Sequence, residues 1–217
     1  MRLQLQFSVP QSSVPFDYQH DLIRAFHRLL PDNAIHDDLS LYSLSWLSGG
    51  KAANGGLAFP NGANWFISFY DDGLAKEFLV QILKMSSFPF GMRVTDMQIQ
   101  DTPLFSSAHR FIVASPVLAR QFDGSTIKHR VFSEPEANEV LTQTLQSKLQ
   151  KAGLSSDVSV RFDSTDSRAK TKLVTIKNIK NRASMCRVII EGDPDSIAFA
   201  WNVGVGHCTG SGFGALR

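Results

Sequence analysis

Residues 193–217 read DPDSIAFAWNVGVGHCTGSGFGALR, and this stretch decides how the second half of the chain is closed. Asp193 suits a helix cap and Pro194 a first turn, so residues 193–203 are expected as a helix. The helix runs straight into five glycines in eleven positions, Gly204, Gly206, Gly210, Gly212 and Gly214. Glycine weakens any regular element it sits in. A cluster of this kind belongs where the backbone turns at positive φ or comes very close to something. Bare amides in such a loop form a concave donor surface suited to phosphate oxygens. Composition alone is equally compatible with a flexible tail. Phe213 and Leu216 argue against a tail as apolar anchors, and residues 213–216 are expected as a last short strand.

Upstream, residues 110–115 form an apolar strand ending at Pro116, and residues 126–132 are expected in a hairpin with it or its neighbours. A helix is expected over 134–152, with Ser133 as its cap and Gly153 as its stop. Strands follow at 158–162, 173–179 and 186–191. The first half has a clearer pattern. Residues 1–9 alternate as Leu3, Leu5, Phe7, Val9 and read as a half-buried strand. Residues 19–30 carry Leu22, Phe26, Leu29 and Leu30 on one helical face, and Pro31 stops them. Strands at 39–47, 64–70 and 92–99, a glycine-rich turn at 49–56 and a helix at 73–85 complete a β-α-β-β-α-β order. That is the ferredoxin-like arrangement. The second half repeats it more loosely, so the fold class is α+β, two ferredoxin-like (RRM-like) domains in tandem. Pro103 and Ser106-Ser107 break the pattern, which puts the domains at 1–105 and 106–217.

The chain has 217 residues and a net charge of +2, too small to imply nucleic-acid binding by itself. Its distribution is more telling. Residues 161–187 hold eight basic side chains, Arg161, Arg168, Lys170, Lys172, Lys177, Lys180, Arg182 and Arg187, against two acids, Asp163 and Asp166. Arg168, Lys170 and Lys172 alternate, so in an extended segment they share a face. Such a stripe suits a phosphate backbone; a solvated hairpin surface is the plain alternative. Two cysteines, Cys186 and Cys208, make neither a disulfide framework nor a zinc pattern, which fits a cytoplasmic protein. The start MRLQLQF is not that of a signal peptide, and no apolar run is long enough to span a membrane.

These residues carry a family resemblance. Gly204-Val205-Gly206, then Gly210-Ser211-Gly212-Phe213-Gly214, resembles the glycine-rich signature of the RAMP superfamily. Phe111-Ile112-Val113-Ala114-Ser115-Pro116-Val117 resembles the opening of that family's second domain. The layout from Lys172 to Gly192, followed by the helix, is similar as well. Within the superfamily the chain most resembles the CRISPR repeat-RNA processing endoribonucleases of the Cas-six type. The resemblance implies a CRISPR repeat transcript as partner. It implies one cut per repeat without metal or other cofactor, by attack of the 2′-hydroxyl on the adjacent phosphate, leaving a 2′,3′-cyclic phosphate. A CRISPR effector complex and a homodimer are further partners it allows.

This chemistry needs a proton acceptor and a proton donor near the phosphate, and histidine suits both. His36 stands where the resemblance implies the catalytic histidine. His27, late on the first helix, is the second candidate, with a partly buried structural role as its alternative. Lys51 is the candidate for stabilising charge on the phosphorane. RNA contacts are expected from Arg168, Lys170, Lys172, Lys177, Lys180 and Arg182. In the terminal segment they are expected from Gly204, Gly206, His207, Thr209, Gly210, Ser211, Gly212 and Gly214. Relatives often place a lysine or arginine in this loop; here His207-Cys208-Thr209 stands there instead. Tyr42, Trp46, Trp65 and Phe69 could stack bases if exposed, but their strand spacing also makes them core candidates, and they are left unassigned. Two other readings stay open: an RNA-binding RAMP subunit that does not cut, and an unrelated phosphate-ligand enzyme using Cys208 as nucleophile.

Overall fold

The computed structural model describes residues 1–30, 39–85 and 87–217. In the first half, β1 (Arg2–Phe7), α1 (Gln19–Arg28), β2 (Tyr42–Leu44), β3 (Lys51–Ala53), β4 (Gly56–Ala58), β5 (Ala63–Phe69), α2 (Asp72–Lys84) and β6 (Val94–Gln100) follow in order. The sheet runs β2-β5-β1-β6 with antiparallel neighbours. Alternation in β1 sends Leu3, Leu5 and Phe7 into a core with Leu22 and Phe26 of α1 and Phe78 and Ile82 of α2. Arg2, Gln4 and Gln6 face the other way. Asp71 caps α2 by accepting from the Gly73 and Leu74 amides.

The second half contains β7 (Ala108–Phe111), β8 (Ala119–Asp123), β9 (Thr126–Arg130), α3 (Glu136–Lys151), β10 (Val158–Phe162), β11 (Lys170–Ile176), β12 (Ile179–Met185), β13 (Val188–Gly192) and α4 (Pro194–Val203). Its sheet runs β10-β13-β7. The chain's last residues extend it: Ile112 and Arg217 exchange amide bonds, and the Ala114 amide donates to Ala215. Two ribbons, β8-β9 and β11-β12, stand beside this sheet. The second core gathers Val140, Leu141, Leu145 and Leu149 of α3, Val160 of β10, Val188 and Ile190 of β13, and Ile197, Phe199 and Trp201 of α4. The whole is a pair of ferredoxin-like domains in tandem.

Several boundaries differ from expectation for local reasons. Residues 126–130 pair with β8. The 131–134 turn, closed by the Glu134 amide on Val131, holds Ser133 outside α3, whose cap position is Pro135. The basic ribbon turns at Lys177 and Asn178, both at positive φ, so its first strand lies three residues earlier than its apolar pattern suggests.

Arg2 joins the two halves. Its Nε donates to Ser68 Oγ at 2.6 Å, and one terminal nitrogen donates to the carbonyls of Trp201 at 3.1 Å and Leu216 at 2.7 Å. The guanidinium lies between the Phe66 and Trp201 rings, 4.0 and 3.5 Å from their centroids. A buried cation is tolerable because three hydrogen bonds and two aromatic rings surround it. Ser43 donating to Asn202 and Trp46 donating to Gly212 add to the same seam.

Candidate functional site

The glycine segment sits in that seam. α4 ends at Gly204, which has φ +70°. The Val205 amide donates to Gly214, the Gly214 amide to Pro116, and the His207 amide to Leu118. The segment is therefore closed on itself and laid along residues 116–118. Gly212 lies against Ile23 of α1, and Gly210 against Ser40 and Tyr42. Gly204, Gly206, Gly210, Gly212 and Gly214 are all buried. The amides of residues 204, 205, 207, 211, 212 and 214 donate within the chain. The glycines thus answer to close backbone packing, and the exposed part of the loop narrows to the half-buried His207, Cys208 and Ser211.

Beneath the loop, Lys148 of α3 is 2% exposed, and its Nζ donates to Val203 O at 3.1 Å and Thr209 Oγ1 at 2.9 Å. Thr209 is thereby turned inward. Burial pushes the Lys148 amine down to about 7. Two N–H donors remain on a neutral amine, so both bonds survive loss of the proton. His207 Nδ1 accepts from the Arg120 amide at 3.3 Å. Burial, with Arg120 and Lys148 nearby, pushes His207 down to about 4. His207 is therefore neutral at physiological pH with its proton on Nε2. Burial raises the Cys208 thiol, opposite to what an activated nucleophile requires.

These shifts predict a pH dependence. Both Lys148 and His207 titrate lower folded than unfolded, so the unfolded chain binds the extra proton and stability rises with pH in each window. For His207 stability is lost as pH falls from 6.5 toward about 4; for Lys148 it is regained as pH climbs from about 7 toward 10.5. Thermal melts from pH 7 to 9.5 are expected to show a rising Tm in the wild type and a flatter curve in Lys148→Met. Parallel curves would show that Lys148 is not the source.

His27 lies on α1 one turn beyond Ile23, on the face that meets Gly212, with its ring 5.5 Å from that of Phe26. His36 falls outside the described residues. Lys51 is exposed on the β3-β4 ribbon, which attaches through the Val14–Leu57 bridge. No hydrogen bond or ion pair among the described residues joins it to α1 or the glycine segment.

The basic ribbon divides its charges. Register pairs Lys172 with Ala183 and Leu173 with Arg182, so Lys170 and Lys172 lie on one face and Lys180 and Arg182 on the other. Arg168 lies just before β11, and Lys177 sits at the turn. Lys170, Lys177 and Lys180 are exposed, and among the described residues no carboxylate pairs with them or with Lys172. Arg182 reaches Glu134 at 3.5 Å, and its amide donates to His129 Nδ1. Three residues of this region escape a reading by motif: Lys148, Arg120 and Phe122. Lys148 alone had a signal, since it falls on the same helical face as Leu141, Thr144 and Leu145.

Residues 99–217, more than half of the chain, match the pattern of the family described as CRISPR associated protein Cas6, C-terminal. The chain belongs to the Cas6 family. No curated protein matches it. Among solved structures it is similar to a Cas6-related gene product from Pyrococcus furiosus (TM-score 0.82, 16% identity, covering all of this chain and 97% of that one). A structure described as CRISPR associated protein Cas6 aligns at TM-score 0.83 and 18% identity, over all of this chain and 98% of the other. A RAMP protein described as binding different RNA substrates aligns at 0.83 and 16%, again over 100% and 98%. At such identities the likeness is one of fold. The Cas6 match covers the segment in which the glycine loop, α3 and both ribbons meet.

Proposed function

We propose that this Cas6-family chain is a metal-independent endoribonuclease that binds CRISPR repeat transcripts in the cytoplasm. It cuts each repeat once, by attack of a 2′-hydroxyl on the neighbouring phosphate with expulsion of the 5′-oxygen. The product carries a 2′,3′-cyclic phosphate. The observation that carries this reading is the docking of the glycine segment on α1, one turn from His27, with the β11-β12 lysines, with which no carboxylate among the described residues pairs, in the same half of the molecule as that segment. His36 and His27 are assigned to proton transfer and Lys51 to the phosphorane charge. Arg168, Lys170, Lys172, Lys177, Lys180 and Arg182, with His207 and Ser211, contact the RNA. The buried glycines and Thr209 hold the loop's shape. The two domains are proposed as 1–105 and 106–217, a division supported by the lack of helix and strand over residues 101–107.

The test is incubation of the purified protein with its host's repeat RNA in excess EDTA. A single cut within the repeat, leaving a 2′,3′-cyclic end, is expected. Tight binding without a cut would replace this reading with that of a non-cleaving RNA-binding subunit. The raised Cys208 thiol supplies the reason to set the third alternative aside, and retained activity after thiol alkylation is the matching outcome.

A further inference from the structure

Between α3 and β8 lies an open groove of about 470 Å³, of whose lining the assignments above use only His207. Phe122, Arg120 and His207 line one side of it, and Gln143, Thr144 and Glu139 the other. Its volume is within the range of small-ligand sites, about 300–1,000 Å³. We propose that it holds one unpaired nucleobase of the bound RNA, stacked on Phe122. The inference rests on the RNA-binding reading of the preceding section.

Phe122 is 64% exposed on a ribbon, and its cross-strand partner Ile127 is 52% exposed. An aromatic ring left this open has a free face, which is what an unpaired base stacks upon. His207 does not cover it, since the rings are 6.0 Å apart and inclined by 60°. Arg120 is fixed by donating to Asn181 Oδ1 at 2.9 Å, yet its buried Nε has no acceptor among the described residues. Its amide holds His207 in the tautomer with Nε2–H, so a neutral donor stands at the same wall. Together they place positive charge and N–H donors beside the glycine loop, where the strand's phosphates would run.

The α3 wall has different chemistry. Thr144 donates to Val140 and Ser147 to Gln143, so both hydroxyl protons are used within the helix. The side-chain amide of Gln143 and the carboxylate of Glu139, both exposed and without a side-chain hydrogen bond or ion pair among the described residues, remain to meet a ligand. A carboxylate repels a phosphate but accepts from the N–H edge of a base. The groove is thus polarised, with phosphate favoured toward Arg120 and a base edge toward α3. This polarity fits a nucleotide and gives no matching place for an anionic ligand centred in the groove.

The test replaces each unpaired base of the repeat RNA in turn with 2-aminopurine, whose emission is quenched by stacking. Binding is read separately by anisotropy, with the full-length protein. At one position, quenching is expected in the wild type, lost in Phe122→Ala and kept in Phe122→Tyr. Phe122→Ala should also weaken RNA binding about tenfold, with an unchanged Tm, because its ring is exposed. RNA that binds normally while no position responds to Phe122 would overturn the pocket and leave the enzyme reading intact. RNA that fails to bind the wild type at all would overturn both.

Discussion

Gly214→Ala is expected to destabilise the protein by about 4 kcal/mol, lowering Tm by roughly 8–16 °C in a chain of this size. Gly214 has φ +63°, and a Cβ built there falls onto the Val205 carbonyl oxygen. Relief requires moving backbone, because that oxygen belongs to the residue whose amide bonds Gly214 at 2.9 Å. The Gly214 amide is also held by Pro116, so the segment cannot shift without losing its seat on residues 116–118. Gly124 provides the control. It too has positive φ, +57°, but nothing lies within 4 Å of a Cβ there. Gly124→Ala should therefore cost only the backbone term, about 1 kcal/mol. Equal melting temperatures for the two variants would show that close packing is not what the terminal glycines serve.

The contrast between these two glycines explains part of what the sequence reveals and part of what it hides. Glycine clusters mark backbone that needs room or freedom, and residues 204–214 were legible as such. Whether the room is filled by a ligand or by the protein's own carbonyls depends on Leu118 and Pro116, some ninety residues away, which no local pattern reports. The β-α-β-β-α-β order of the first half was legible because Leu3, Leu5 and Phe7 alternate against helices with clear apolar faces. The β3-β4 ribbon was not, since Lys-Ala-Ala paired with Gly-Leu-Ala shows no apolar alternation, and the one apolar anchor, Leu57, is set against the first core by its bridge to Val14. β8 hides for a similar reason. Arg120, Gln121 and Asp123 give it a polar reading, and Phe122 is exposed rather than core. Its ribbon is set by the turn at Gly124 and by docking beside β12, which is tertiary information. The basic run was legible as an extended stripe, but its apolar pattern runs one strand through the turn at Lys177 and Asn178 and hides β12, so the pairing and the division of charges between two faces came only from the register. Lys148 shows the opposite limit. Its helical position marks it as inward-facing, while its residue type argues for the surface, and only the Val203 carbonyl and Thr209 hydroxyl decide between them.

His36→Ala is expected to reduce repeat cleavage by about 10²- to 10⁴-fold, with RNA affinity within a few-fold of wild type. Removing a proton donor or acceptor from the transition state leaves phosphate contacts elsewhere in place, so catalysis and binding should separate. His27 gives the more informative comparison, because it has a structural alternative. It adjoins the buried Phe26 and sits on the helix face that supports the glycine loop. If it serves packing alone, His27→Gln should lower Tm and leave the pH profile of the remaining activity unchanged. If it transfers a proton, the wild-type profile should be bell-shaped, with one limb governed by each histidine. His27→Gln should then keep one limb and lose the other, and His36→Ala should lose the complementary one. A shared limb would mean that the two histidines do not divide the acid and base roles. Wild-type cleavage by both variants would remove His27 and His36 from the catalytic assignment and move the proton transfers to other groups, whereas RNA binding with no cut by the wild type would leave the ribbon lysines and the Phe122 groove as parts of a protein that holds repeat RNA without cutting it.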